Sequence, residues 1–160
     1  VTFWGSTLWT DLKDGDWFAK KKIANGLNDY HVVAYDVDGG SRNMSVHDTI
    51  AINTRTREKI NWDADVILTH HCPLLIEHKL YPLSDITYGF CNTGLEEQIA
   101  ASKVKFWMYG HTHDSRITDV NGTTVISNQH GYSTMDYRIG ESRPYENTDF
   151  DPNLILEVNK

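Results

Sequence analysis

Two apolar runs in this chain each end in histidine, and that pairing limits the fold more than any other feature. Asp65-Val66-Ile67-Leu68-Thr69 leads directly into His70-His71-Cys72-Pro73, and Val104-Lys105-Phe106-Trp107-Met108-Tyr109 leads into Gly110-His111-Thr112-His113. A short apolar run closed by polar residues has the pattern of a strand buried on both faces. Such strands belong to parallel sheets covered by helices, where ligands gather beyond the carboxyl ends of the strands. The expected fold class is therefore α/β, with histidine presented at two strand ends.

The rest of the chain reads consistently with that class. Val1–Leu8 is expected to be a short strand. Asp16 is placed to cap a helix running to Ile23 or Ala24, with Asn25-Gly26 as its end. Val32–Val37 reads as a strand closed by Asp38-Gly39-Gly40, and Ser45 as the cap of a helix from Val46 to about Ile60. Cys72–Phe90, which contains two prolines, reads as a long loop, and loops of that length are usually functional or disordered. Asn92 or Thr93 is expected to cap a helix to about Ala101, with Leu95, Ile99 and Ala100 inward. Asn121-Gly122 between Ser115–Val120 and Thr123–Ser127 signals a hairpin, and Leu154–Val158 reads as a final strand.

Composition narrows the function classes. The 160 residues are 39% hydrophobic and 23% charged, enough for one domain spanning 1–160. A net charge of −7 argues against a nucleic-acid footprint, which requires a basic surface. It leaves room for a phosphate ligand, because a bound cation supplies positive charge locally. No run approaches the roughly 18 apolar residues of a membrane span, and no signal peptide is visible. Two cysteines are too few for a disulfide framework, so a cytoplasmic location is the expectation.

Eight histidines are the compositional oddity. A histidine near a strand end is ordinarily a surface or hydrogen-bonded residue, and His31, His47, His78 and His130 are read that way. His70, His111 and His113 are different, because core packing does not require three histidines at two strand ends. Imidazole suits borderline transition metals, and Gly110 permits the tight turn that would aim His111 and His113 at one site. His71 reads as a supporting partner or a substrate contact, and Cys72 as a small buried residue beside the site. Asp114, Asn128 and His130 are candidates for supporting positions around the ligands.

Gly110-His111-Thr112-His113 resembles the G-H-x-H motif of the calcineurin-like metallophosphoesterases, and Ile67-Leu68-Thr69-His70-His71-Cys72-Pro73 resembles their H-[HG]-x-P histidine motif. Ser6–Asp11, Leu27–Tyr30 and Asn147–Pro152 resemble segments of a bacterial and phage subfamily. The resemblance implies a two-sheet sandwich flanked by helices. It implies that His70 and His111 share one metal ion and His113 holds a second, with Mn, Zn or Fe as the metals. The implied activity is hydrolysis of a phosphate mono- or diester by a metal-bound hydroxide, with His71 contacting the phosphoryl group or a metal ligand.

The chain departs from the family pattern in its acidic half. The D-x-H, G-D-x-x-D and G-N-H-[DE] motifs have no counterpart at the right places. Asp29-Tyr30-His31 has D-x-H spacing but precedes a strand, and it reads as coincidence. The expectation is therefore a domain incomplete at its N-terminus, completed by a missing N-terminal segment or a partner chain. Two other readings stay open: an inactive binding or regulatory module of the same fold, and a mononuclear His₃ zinc hydrolase.

Overall fold

The computed structural model describes residues 1–79, 82–132 and 146–158. Seven strands occur among the described residues: β1 (Phe3–Ser6), β2 (Ala34–Val37), β3 (Gly40–Asn43), β4 (Val66–Thr69), β5 (Phe106–Tyr109), β6 (Ser115–Val120) and β7 (Thr123–Asn128). Right-handed helical segments accompany them: α1 (Trp17–Gly26), the single turn α2 (Asp29–Val32), α3 (Val46–Arg57) and α4 (Glu96–Ala101). A 3₁₀ turn spans Asp85–Gly89. No helix among the described residues is long and apolar enough to cross a membrane.

The main sheet has five strands in the order β1-β4-β5-β7-β6, and β2 and β3 form a separate two-stranded ribbon. The β1/β4, β4/β5 and β5/β7 pairs are parallel, while β6/β7 is an antiparallel hairpin closed at Asn121-Gly122. The class is thus mixed α/β. Register places Trp4, Ile67, Trp107 and Val125 side by side on one face. That face joins the hydrophobic core built with Leu12, Ile23, Leu95 and Ile99.

The opposite face is also apolar, as expected of strands that carry no polar alternation. Phe3, Val66, Phe106, Met108 and Ile126 line a groove of about 390 Å³ there, together with Leu154, Leu156 and Val158. Cover is incomplete: Phe3 is 64% exposed, and Leu68 and Ile117 are also open to solvent.

Several local expectations are corrected. Residues 154–158 form no strand. Their alternating apolar side chains line the groove across the sheet face instead of adding a ladder at its edge. The strand expected from Val32 starts later, because Asp29–Val32 winds into a helical turn. Gly26 does not cap α1 in a left-handed conformation. It is the last helical residue, and a Cβ there would meet Ile86 Cδ1 at 2.8 Å, so its role is close packing against the 3₁₀ turn. Helix α4 starts at Glu96 and not at Asn92 or Thr93, because both of those side chains are engaged elsewhere.

Helix α3 begins as expected, with a capping box. Ser45 Oγ accepts from Asp48 N, and Asp48 Oδ2 accepts from Ser45 N at 2.8 Å. Arg42 also forks onto Asp48 at 2.6 and 2.8 Å. Ser45→Ala is expected to cost about 1 kcal/mol in urea unfolding. The Arg42 bonds, then those of Ser45, hold the Asp48 carboxyl well below its usual range. Its stabilising effect is therefore complete above the unfolded carboxylate pKa of about 4 and is lost as pH falls through the depressed folded value. The stability gap between wild type and Asp48→Asn should be widest near neutrality and close in acid. A gap that stays constant with pH would rule out the Asp48 carboxylate as its source.

Candidate metal site

Strands β4 and β5 are parallel neighbours, so their carboxyl ends lie side by side. His70 follows β4 and His111 follows the glycine after β5. Their rings meet, with His70 Nε2 and His111 Nδ1 3.0 Å apart and ring centroids separated by 4.7 Å. Gly110 makes the approach possible: its N–H donates to His70 O at 3.0 Å, and a Cβ would sit 3.4 Å from His70 Nδ1. The next turn is tight. His111 and His113 have φ of 72° and 53°, and Thr112 N donates to Gly110 O at 2.9 Å.

His111 Nε2 is buried and has no hydrogen-bond partner among the described residues. The two nitrogens that face each other, His70 Nε2 and His111 Nδ1, are the donor pair that fits a borderline divalent cation, and the unpartnered Nε2 lies on the other edge of the His111 ring. Burial holds the His111 pKa below its usual value, and the Asp29 carboxylate works against that shift. His70 responds in the same way: burial lowers it and Asp29 opposes. Neutral imidazoles are the ligating form. Asp29, a coincidental match by sequence, thus acts on both rings from the turn α2.

His113 is oriented separately. Its Nδ1 donates to Glu146 Oε2 at 2.8 Å, which leaves Nε2 as the free acceptor of the ring, and its backbone N–H donates to Gln129 Oε1 at 3.0 Å. A carboxylate on the far nitrogen is the usual support of a metal-binding histidine. Neither Glu146 nor Gln129 carries a motif, so sequence reasoning missed both.

His71 is 1% exposed. Its ring tilts against Trp9 at 4.9 Å and against His111 at 4.7 Å, and its Nδ1 donates to Thr7 O at 3.1 Å. From that position it supports the pair from beneath, and the expected contact with a phosphoryl group has no open surface to occur on.

The other expected supporting residues are divided. Asp114 is buried and accepts from Thr112 Oγ1 at 2.7 Å, while Gln129 Nε2 donates to the same Thr112 hydroxyl at 2.9 Å. It therefore braces the turn that carries His111 and His113. Asn128 instead binds the C-terminal segment, donating to Asp151 O at 2.7 Å and accepting from Asp151 N at 3.0 Å. His130 is exposed, with its ring edge against Phe150. Asp11 lies outside the site, bonded to Thr93 and paired with Arg57 at 3.6 Å.

A second set of donors lies at the two ends and in the middle of the loop; of these, only Cys72 reads from the sequence as a possible thiolate ligand, and a small buried residue is the favoured reading there. Cys72, His78 and Cys91 are all buried, and their donor atoms lie within 4.8 Å of one another. His78, by sequence an ordinary surface or hydrogen-bonded residue, is enclosed. Its Nδ1 lies on Asp114 at 3.1 Å and its Nε2 is 3.2 Å from Cys91 Sγ. Burial opposes charge on His78, but Asp114 and Cys91 outweigh it and raise its pKa to about 9. Burial pushes the Cys72 thiol up, whereas Cys72 and then His78 draw the Cys91 thiol down.

No protein-family model matches this chain, and no solved structure matches it. The chain is similar to a protein of Acanthamoeba polyphaga mimivirus described as uncharacterized protein L509, with 28% identity over 167 aligned positions. The alignment takes in 97% of this chain and 58% of that protein, so the chain spans little more than half the relative's length.

Proposed function

We propose that this chain carries the histidine half of a metal-dependent phosphoesterase site of the calcineurin-like type. The observation that carries the reading is the contact of His70 with His111 at the carboxyl ends of two adjacent parallel strands. A divalent Mn, Zn or Fe ion, when bound, supplies Lewis acidity toward a phosphoryl oxygen. His70 and His111 would hold one ion, and His113, fixed by Glu146, would offer Nε2 to a second. Asp29 contributes negative charge beside the pair. The loop from Cys72 to Phe90 leaves the site directly after His71, and its placement suits the choice of phosphate ester.

The finer fold belongs to the same proposal. The groove face of the sheet, with Phe3 and Leu68 exposed, suits the packing of the second sheet of a sandwich. That layer and the bridging carboxylate would come from a partner chain or from sequence outside these 160 residues.

The test is hydrolysis of p-nitrophenyl phosphate mono- and diesters with Mn²⁺ or Zn²⁺. It compares the 160-residue chain with a chain extended upstream in its reading frame. The short chain is expected to stay near background, and the extended chain to turn over. His111→Ala in the extended chain should reduce turnover at least ~100-fold, since even the groups that orient metal ligands are worth ~10–100-fold. Unchanged turnover in His111→Ala would remove the histidine pair from the mechanism. Strong turnover by the short chain would place the missing carboxylate within these 160 residues, among Asp11, Asp29 and Asp114.

A further inference from the structure

We infer that Cys72, Cys91 and His78 supply three of the four ligands of a zinc site that pins the long loop to the sheet, separate from the His70–His111 pair. Such a site stands whether or not the chain belongs to a phosphoesterase. The three side chains come from different parts of the loop. Cys72 opens it, Cys91 closes it, and His78 returns from its middle. Cys72 and Cys91 face each other in an isolated parallel bridge, with Cys72 N donating to Phe90 O at 3.0 Å and Asn92 N to Cys72 O at 2.9 Å. The backbone thus sets the two cysteines side by side before any ion binds.

The spacing suits tetrahedral zinc. Zn–S and Zn–N bonds of about 2.3 and 2.0–2.1 Å give donor–donor edges of roughly 3.5–3.8 Å. Here the His78 Nε2 to Cys91 Sγ distance is 3.2 Å, and all three donors fall within 4.8 Å. Two thiolates and an imidazole select a borderline soft ion over magnesium or calcium.

Two further observations point to an ion. Asp114 occupies the far nitrogen of His78 at 3.1 Å, the carboxylate–histidine arrangement that orients an imidazole toward zinc. Tyr109, from the end of β5, places its buried hydroxyl near both Ser127 and Cys72, and neither completes a well-formed hydrogen bond to it. A zinc-bound Cys72 thiolate would accept from that hydroxyl and satisfy it. An ion here would also fix the residue two positions after His70, so the loop and the strand end would move as one body.

Zinc is supplied to the 160-residue chain under reducing conditions, excess is removed by dialysis, and zinc-edge X-ray absorption is read on the wild type. The expected result is zinc with two sulfur neighbours at about 2.3 Å. Cobalt substitution should give thiolate-to-metal charge-transfer absorption and tetrahedral d–d bands. These should persist in His111→Ala and vanish in Cys91→Ser, and Asp114→Asn should weaken zinc binding by ~10–100-fold. Zinc bound through nitrogen and oxygen alone would overturn the proposal, as would no retained zinc. Loss of two hydrogens in the intact mass of protein purified without reductant, with no zinc retained, would instead assign the cysteines to a disulfide. The wild-type spectrum decides even if Cys91→Ser fails to fold.

Discussion

Replacing Trp107 by alanine is expected to cost about 3–5 kcal/mol, the range for emptying a large aromatic from a packed core. Trp107 is wholly buried in the middle of β5. Its ring lies 6.0 Å from that of Trp62 at a tilt of 53°, and its Nε1 donates to Thr69 Oγ1 at 2.9 Å. The substitution therefore opens a cavity and also leaves the Thr69 hydroxyl, one residue before His70, without its indole partner. Domains of this kind have a total stability of about 5–15 kcal/mol, so much of the folded population is at risk. Urea denaturation of both proteins measures the loss, and a change below about 1 kcal/mol would mean that the sheet and helices do not pack through this ring.

Asn92→Ala should be the next most damaging, after Trp107→Ala. Asn92 is fully buried. Its amide donates to Trp9 O at 2.8 Å and Cys72 O at 3.1 Å, and its Oδ1 accepts from Asn53 Nδ2 at 2.7 Å. Asn53 in turn reaches Leu8 O and Trp9 O at 3.2 and 3.3 Å. The two amides hold the chain after β1, where Leu8 and Trp9 take φ of 68° and 56°. Removing Asn92 leaves buried polar groups short of partners, for a cost of roughly 2–3 kcal/mol and a Tm lower by about 4–12 °C. Asn92→Asp keeps the shape but turns an oxygen toward two carbonyls, so it should be no milder. Thermal unfolding of the pair checks this; a benign Asn92→Asp would show that shape, and not donor geometry, matters there.

Sequence patterns reveal the frame of this molecule where one local signal suffices. Strand β4 falls on the residues expected of it, and the β6–β7 hairpin turns at Asn121-Gly122 as that dipeptide dictates. The meeting of His70 and His111 is also legible, because two apolar runs ending in histidine become adjacent if they pair. Signals fail where tertiary contacts reassign a residue. Asn92 has the chemistry of a helix cap, yet it is used to hold two carbonyls of other segments. Ser41-Arg42-Asn43 is too polar to suggest a strand, and β3 forms by pairing with β2. Cys72, His78 and Cys91 sit 6 and 13 residues apart along an irregular loop, and no spacing rule joins them before the loop is folded. Asp29 acts on the histidines from a single helical turn too short to leave a periodic signal.

The left-handed backbone at His111 and His113 sets stability against chemistry at this site. A non-glycine residue in that conformation carries a penalty on the order of 1 kcal/mol, which glycine avoids and asparagine reduces. Selection for stability alone would therefore drive both positions toward glycine or asparagine and erase the imidazoles. Stabilising this protein by design is better directed at surfaces remote from the turn, because relief of its strain and loss of its imidazoles are the same substitution.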